Sequence, residues 1–156
     1  MASKSAKKQM VSAARLFATQ ALFQMEATGT GFDEVIEEFE THRLGAEIDG
    51  DTYAEGDVTH FRLLMREAVS QQAKIDQLTD TALKATWPID RIDPTLRALF
   101  RAAGAELLAA DTPPKVAISE FVDVAKAFFP DSKEPKFVNG VLDHMARTVK
   151  PKAFAP

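Results

Sequence analysis

Lys136 stands directly before Phe137, and this pairing of a base with an aromatic ring suits single-stranded nucleic acid. A lysine ammonium attracts phosphate, and a phenyl ring stacks on an unpaired base. The competing interpretation places the ring in the core, because Val138 and Val141 continue its apolar stripe. The residue types therefore indicate a candidate nucleic-acid contact and leave a structural role for Phe137 open.

Three more basic residues lie near predicted helix starts. Arg97 and Arg101 are four residues apart, which places them on one face of a helix, and Lys115 opens the next helix. A basic face can hold phosphates, although the same residues also fit an ordinary solvated face. We retain all three as candidates for binding a polyanion.

The charge distribution adds a basic N-terminus. The formal net charge is −4, which by itself argues against a polyanion as partner. Residues 26–60 carry eleven acids and one base, whereas residues 1–25 contain no acid and four bases: Lys4, Lys7, Lys8 and Arg15. A basic arm beside an acidic segment is one electrostatic footprint of a nucleic-acid-binding protein, and a solvated tail is the alternative.

Residues for catalysis or metal binding are sparse. Cysteine is absent, which excludes a thiolate nucleophile, a disulfide framework and a zinc site built on sulfur. His42, His60 and His144 lie on different predicted elements without the HxxH or HExxH spacing of metal sites. We interpret them as surface or capping residues, and we expect no metal, no cofactor and no enzymatic activity.

Other functional classes lack their patterns too. The glutamates of one short predicted helix have no Glu-x-x-His partner elsewhere, so they indicate a solvated acidic face: Glu34, Glu37, Glu38 and Glu40. Dinucleotide, P-loop and EF-hand motifs are absent. No apolar run approaches the ~18 residues that span a bilayer, and no signal segment follows the basic N-terminus. We expect a cytoplasmic protein.

The periodicity of apolar residues predicts an all-α fold. Apolar residues recur at spacings of three and four, and no stretch alternates apolar with polar residues as a strand does. We predict about seven helices, near residues 5–25, 32–40, 58–68, 75–83, 93–110, 113–128 and 137–149. Asp93 followed by Pro94 marks one helix start, since aspartate caps free N–H groups and proline has none to satisfy.

Some local signals conflict with this pattern or interrupt it. Gly104 and Gly140 lie inside predicted helices, and we interpret both as sites where another backbone packs closely. We expect a helix break near Trp87, because the residue before a proline leaves the helical region. Residues 44–52 indicate a loop.

Several strings resemble the NusB family of transcription antitermination proteins. The two most specific are DTPPKVAISEFVDVAK at residues 111–126 and KFVNGVLD at residues 136–143. Ala14-Arg15, ATQALF at residues 18–23, RALFR at residues 97–101 and Glu106-Leu107 match in order and spacing as well. The resemblance covers the chain from about Ala13 to Lys150.

This resemblance implies one compact domain over residues 1–156, built from two small helical bundles. The expected parts are a flexible basic arm (1–12), an N-terminal bundle (13–72), a C-terminal bundle (73–150) and a tail (151–156). It also implies that the protein binds single-stranded boxA-type RNA with the ribosomal protein NusE, within the RNA polymerase antitermination complex, during ribosomal RNA synthesis. Monomer and homodimer both remain open.

The resemblance also directs attention to the N-terminal helix, where the family carries an arginine-rich stretch. Here only Arg15 matches, and residues 11–13 hold no arginine. We expect Lys4, Lys7 and Lys8 to take over the phosphate contacts. Because lysine lacks arginine's bidentate fork, we expect weaker or more partner-dependent RNA binding. The candidate RNA-binding residues are Lys4, Lys7, Lys8, Arg15, Arg97, Arg101, Lys115, Lys136 and Phe137.

Two alternatives stay open at this point. The chain could be a helical adaptor whose acidic helix binds a basic protein and no RNA. It could also be the NusB-like module of an RNA cytosine methyltransferase, although the sequence contains neither a cofactor-binding βα region nor a catalytic cysteine.

Overall fold

The computed structural model describes residues 4–44, 57–83 and 92–155, with side chains from Lys7 onward. Seven α-helices and a final 3₁₀ turn occupy these ranges, and no strand occurs in them. The elements are α1 (Lys4–Thr28), α2 (Phe32–His42), α3 (Val58–Ser70), α4 (Gln72–Leu83), α5 (Pro94–Ala109), α6 (Pro114–Phe128), α7 (Glu134–Val149) and the 3₁₀ turn (Pro151–Phe154). The predicted all-α class is confirmed. The break predicted near Trp87 and the loop predicted after Leu44 lie outside the described residues.

Local polar groups set several helix ends. Asp93 Oδ1 accepts a hydrogen bond from the backbone N–H of Thr95 at 2.7 Å, and Pro94 occupies the first turn of α5, as predicted. Asp57 caps α3 similarly, accepting from the N–H of His60 at 2.9 Å. Helix α1 stops before Gly29, whose φ of +76° is a left-handed conformation that costs glycine little.

Helix α5 is the central element of the fold. Ten of its sixteen residues are buried, because it packs against α1, α3, α4, α6 and α7. A helix that is apolar on nearly every side belongs in a core. In the N-terminal part of the core, the ring of Phe39 in α2 stacks on Phe61 of α3, with 6.0 Å between centroids. The same ring meets Phe17 of α1 edge-on at 6.5 Å. One continuous apolar core joins the N-terminal and C-terminal helices.

The two interior glycines behave differently. A Cβ added to Gly104 would lie 2.5 Å from Cγ2 of Ile75, so α4 packs against α5 at a distance that only glycine permits. A close approach at Gly104 is thus observed, but its partner is a side chain and not the backbone that was predicted. The same prediction for Gly140 is wrong, because nothing lies within 4 Å of an added Cβ there.

Helical structure reaches close to both ends of the described residues. Residues 1–12 were expected to form a flexible arm, yet α1 begins at Lys4. At the other end, the expected tail forms the 3₁₀ turn, and the guanidinium of Arg147 lies 4.5 Å from the centre of the Phe154 ring. Within the described ranges, no helix is both long and apolar enough to cross a membrane.

Candidate nucleic-acid interface

Phe137 is a partly exposed aromatic ring in the first turns of α7. Its relative exposure is 39%, whereas its neighbour Val138 is fully buried. The ring meets buried Phe100 of α5 edge-on, with 6.2 Å between centroids and 70° between planes. The sequence interpretations of core and contact residue each describe part of this arrangement. The ring therefore contacts the core through Phe100, and a substantial part of the residue remains open to solvent.

An apolar groove of about 460 Å³ runs beside this ring, between the starts of α5 and α7. Ile92 and Leu96 supply its apolar surface, and Lys133 lies at its edge. A flat base could stack on the ring and cover this apolar surface, since stacking needs no particular base edge. Exposed Lys136 follows Lys133 by one turn, so both lysines begin the same helix as the ring.

Acidic groups limit where phosphate can lie around this groove. Asp93 and Glu134 line the same groove. A hydrogen bond from Ser132, followed by backbone hydrogen bonds, lowers the pKa of Glu134, which keeps its carboxylate ionised near neutral pH. Phosphates would therefore avoid the Glu134 side and favour the outer surface near Lys136.

Lys7, Lys8 and Lys115 lie at the opposite end of the bundle. All three are exposed, and Lys4 belongs to the same helix start, although its side chain is outside the described part. The hydrogen bond from Ser12 Oγ to Glu120 Oε2, at 2.8 Å, brings the start of α1 beside the start of α6. The lysines of α1 and Lys115 thus occupy one end of the molecule.

The structure does not bring these lysines and Phe137 into one cluster. Two ion pairs show that helices α1 and α5 run antiparallel. Arg15 pairs with Glu106, whereas Glu26, further along α1, pairs with Arg97 near the start of α5. With a rise of about 1.5 Å per residue, Lys8 lies roughly 20 Å from Phe137 along the bundle axis. A ligand that touches both groups must be an extended chain.

Arg15, the one position that matches the family's arginines, is buried. Its side chain is 5% exposed, and its Nε and Nη2 each donate to a different oxygen of Glu106 at 2.8 Å. The carboxylate of Glu120 lies 3.5 Å from Nη1. His60 Nε2 also lies 2.8 Å from Glu106 Oε1. These four residues form the buried ion-pair cluster, and its geometry leaves Arg15 without a surface to offer to phosphate.

Glu106 is the centre of the buried ion-pair cluster, with no exposed side-chain surface. Burial alone would raise the pKa of this carboxyl, but hydrogen bonds from His60 and Arg15 and their charges lower it to about 2. The carboxylate is therefore ionised near neutral pH, and His60 Nε2 acts as a donor toward it.

Arg97 and Arg101 are also engaged in ion pairs, on the side of α5 that faces α1 and α4. Arg97 pairs with Glu26, and Arg101 donates to both oxygens of Asp76 at 2.9 Å. Their side chains are only 12% and 14% exposed. Both arginines were candidates for phosphate contacts, with a solvated face as the alternative. The structure instead places them, largely buried, in salt bridges that fasten α5 to α1 and α4.

The sequence interpretation missed the partners of Arg15. His60 was interpreted as a surface or capping residue, and neither Glu106 nor Glu120 was given a role. A usable signal existed at Glu106, which stands between Ala105 and Leu107 in an otherwise apolar helix. A carboxylate at a position that the periodicity buries requires a cation nearby.

In the described part of the chain, no group of three or more His, Asp or Glu side chains could hold a metal ion.

The glutamates of α2 are partly tied to neighbouring helices. Glu40 accepts both hydrogen bonds of the Arg62 fork, at 2.5 and 2.8 Å, and Glu38 accepts from Gln24.

Comparison with known proteins gives consistent matches over most of the chain. Residues 12–147 match the model of the NusB family. The transcription antitermination protein NusB of Agrobacterium fabrum is 49% identical over 142 residues, which cover 90% of this chain and 86% of the relative. That of Sinorhizobium fredii is 49% identical over 139 residues, covering 88% and 86%.

Solved structures agree. The chain is similar to NusB of T. maritima, with a TM-score of 0.71 and 30% identity over 92% of this chain and 95% of that one. It is also similar to a chain from a complex of the antitermination factors NusB and NusE with double-stranded RNA. The TM-score there is 0.66, with 26% identity over 89% and 97% of the two chains. Sequence and fold thus lead to the same assignment: the chain belongs to the NusB family.

Proposed function

We propose that this protein is a transcription antitermination factor that binds boxA-type RNA together with a NusE-type ribosomal protein, within the antitermination complex of RNA polymerase. The single observation that carries the RNA-binding part is the placement of Phe137. Its ring packs against Phe100 in a T-shaped contact, the residue is 39% exposed, and the ring adjoins an apolar groove.

Single-stranded RNA fits this groove better than a duplex does. Only an unpaired base can present its face to a side chain, because paired bases are stacked inside the helix. Lys136 adjoins the ring at an exposed position where it can meet a phosphate. The ring and the lysine together match the two chemical parts of a nucleotide.

The bound RNA would be longer than one nucleotide step. Phe137 and Lys8 lie roughly 20 Å apart along the bundle axis, so an RNA that reaches both must span several nucleotides. A net charge of −4 is compatible with this path, because Lys8 lies in the acid-free N-terminal stretch and Lys136 in the first turn of α7, neither of them on acidic α2. The partner protein would then add affinity that this surface lacks alone, since lysines bind phosphate without a bidentate fork.

This function is binding and not catalysis. The relatives are antitermination proteins. The charged residues of the buried ion-pair cluster are engaged with one another, with Glu106 fully enclosed. Nothing in their arrangement places a nucleophile beside a base at an open site.

A binding titration tests the proposal. Labelled boxA-type RNA, as a single strand and as a duplex, is titrated with the protein at two salt concentrations, with and without the ribosomal protein. We expect preference for the single strand, tighter binding with the ribosomal protein, and affinity that falls with salt. Equal or stronger binding of the duplex would exclude stacking on Phe137. Absence of RNA binding with the partner present would favour the adaptor without RNA.

A further inference from the structure

Residues 10–15 of α1 are fastened to three other helices by polar contacts. The backbone N–H of Asp57, at the start of α3, donates to the carbonyl of Met10 at 2.9 Å. Ser12 Oγ donates to Glu120 of α6 at 2.8 Å, and Arg15 forms its fork with Glu106 of α5. These contacts lie one to two turns beyond the exposed lysines at the start of α1.

Within the described residues, Glu120 makes both polar contacts between α1 and α6. Its Oε2 accepts from Ser12 and lies 3.5 Å from Nη1 of Arg15, so one carboxylate holds two successive turns of α1. Its side chain is only 13% exposed. Withdrawing charges from water has a cost, and buried ionic groups are best attested as devices that fix one arrangement.

The fastened face of α1 also carries one of the lysines. Lys8, Ser12 and Arg15 are spaced by four and three residues, which places them on one side of the helix, the side turned toward α6. Glu120 lies between one and two turns beyond Lys115, which stands in the first turn of α6. The contact of Glu120 with Ser12 therefore places Lys8 close to the start of α6.

We propose that Glu120 is a positioning residue for RNA. It holds the basic start of α1 against the start of α6, so that the lysines of both helices contact one RNA backbone. This inference rests on the proposed RNA binding and adds a role for a carboxylate within a surface that binds phosphate. The expected effect on RNA affinity is opposite to that of charge alone, because removing a negative charge near phosphate should by itself tighten RNA binding.

Glu120→Ala separates the two effects. It removes both contacts with α1, while Arg15 keeps its fork with Glu106, so we expect the variant to fold. We expect the plot of log affinity against log salt to lose about 1.4 from its slope, the value for two phosphates at about 0.7 each in single strands. Affinity should fall despite the lost negative charge. Glu120→Gln keeps an oxygen for Ser12, and we expect it to restore most of the slope.

Asp123→Ala is the matched control. Asp123 lies one turn further along α6, is 67% exposed, and pairs with Lys126 only at 3.9 Å. Asp123 borders the same groove as Ser12 and Leu16, but within the described residues it forms no hydrogen bond or ion pair with α1. This variant therefore removes the same charge without breaking a polar contact between α1 and α6, so we expect an unchanged slope and equal or slightly tighter binding. Thermal unfolding of each variant confirms that binding is measured on folded protein.

A double-mutant cycle shows whether Glu120 acts through the lysines. Lys7→Ala with Lys8→Ala should flatten the slope by about 1.4, and Glu120→Ala added to it should change little further. Three results would each overturn the positioning role of Glu120. They are tighter RNA binding by Glu120→Ala, a wild-type salt slope in Glu120→Ala, and a full additional loss of slope when Glu120→Ala is added to the double lysine variant. A double lysine variant with wild-type slope would overturn it as well and leave the Phe137 site standing. Failure of every form to bind RNA would instead contradict the proposed function.

Discussion

Arg15→Met tests directly whether Arg15 is a buried structural residue or an RNA contact. The substitution keeps the apolar stem and removes the fork from Glu106, which has no exposed side-chain surface and is ionised near neutral pH. Breaking one partner of a buried pair costs about 3–5 kcal/mol. His60 still donates to Glu106, so we expect the lower end, about 3 kcal/mol, and a thermal midpoint lower by roughly 10 °C for a domain of this size.

Urea unfolding followed by circular dichroism measures this loss, with the free energy extrapolated linearly to water. Arg62→Met is the control, because Arg62 makes a similar fork with Glu40 while its side chain is 48% exposed. We expect that control to lose clearly less stability, because solvent screens an exposed ion pair. A loss below about 1 kcal/mol for Arg15→Met, accompanied by weaker RNA binding, would refute the structural role of Arg15.

The stability of the fold should depend on the ionised state of Glu106 and on the packing at two helix glycines. The folded pKa of Glu106, about 2, lies below its ordinary value of 4.5, so its stabilisation is present above pH 4.5 and is lost as pH falls toward 2. A shift of this size corresponds to about 3 kcal/mol. The free energy of unfolding, measured from pH 6 to pH 3, should therefore fall less steeply in Glu106→Gln than in the wild type. Equal slopes in the two proteins would contradict the lowered pKa of Glu106. Gly104→Ala should destabilise the fold by about 1–3 kcal/mol, because its Cβ would overlap Ile75, and thermal unfolding measures this. Gly140→Ala, with open space around it, should stabilise by up to about 1 kcal/mol, and the same sign for both alanine variants would contradict the packing described.

The helices were predictable from the sequence because local rules and tertiary packing agree. Apolar spacing placed all seven helices, and Asp93 with Pro94 marked the start of α5 within one residue. Gly140 shows the limit of this reasoning. A glycine within a helix signals either close packing or mere tolerance on an exposed face, and only the position of neighbouring helices separates the two.

The candidate site was predictable only in part. Phe137 was recognised from its neighbour Lys136 and its string, but its half-exposed state depends on the distance to Phe100, which the sequence does not encode locally. Arg15 was assigned to RNA because its partner Glu106 lies 91 residues away along the chain. Local charge patterns describe exposed residues well, whereas a buried pair becomes visible only when two helices are placed together.

In the proposed complex, the exposed ring of Phe137 stacks on an RNA base. Phe137→Leu keeps an apolar side chain against Phe100 and removes the flat ring. Phe23→Leu is its control, since Phe23 is 38% exposed and lies outside the Phe137 groove. The measurement is the affinity of both variants for single-stranded boxA-type RNA, with the ribosomal protein present. We predict that Phe137→Leu binds about 5- to 100-fold more weakly, the range for a lost stacking contact of about 1–3 kcal/mol, while Phe23→Leu binds as the wild type does. Wild-type affinity in a folded Phe137→Leu variant would contradict the claim.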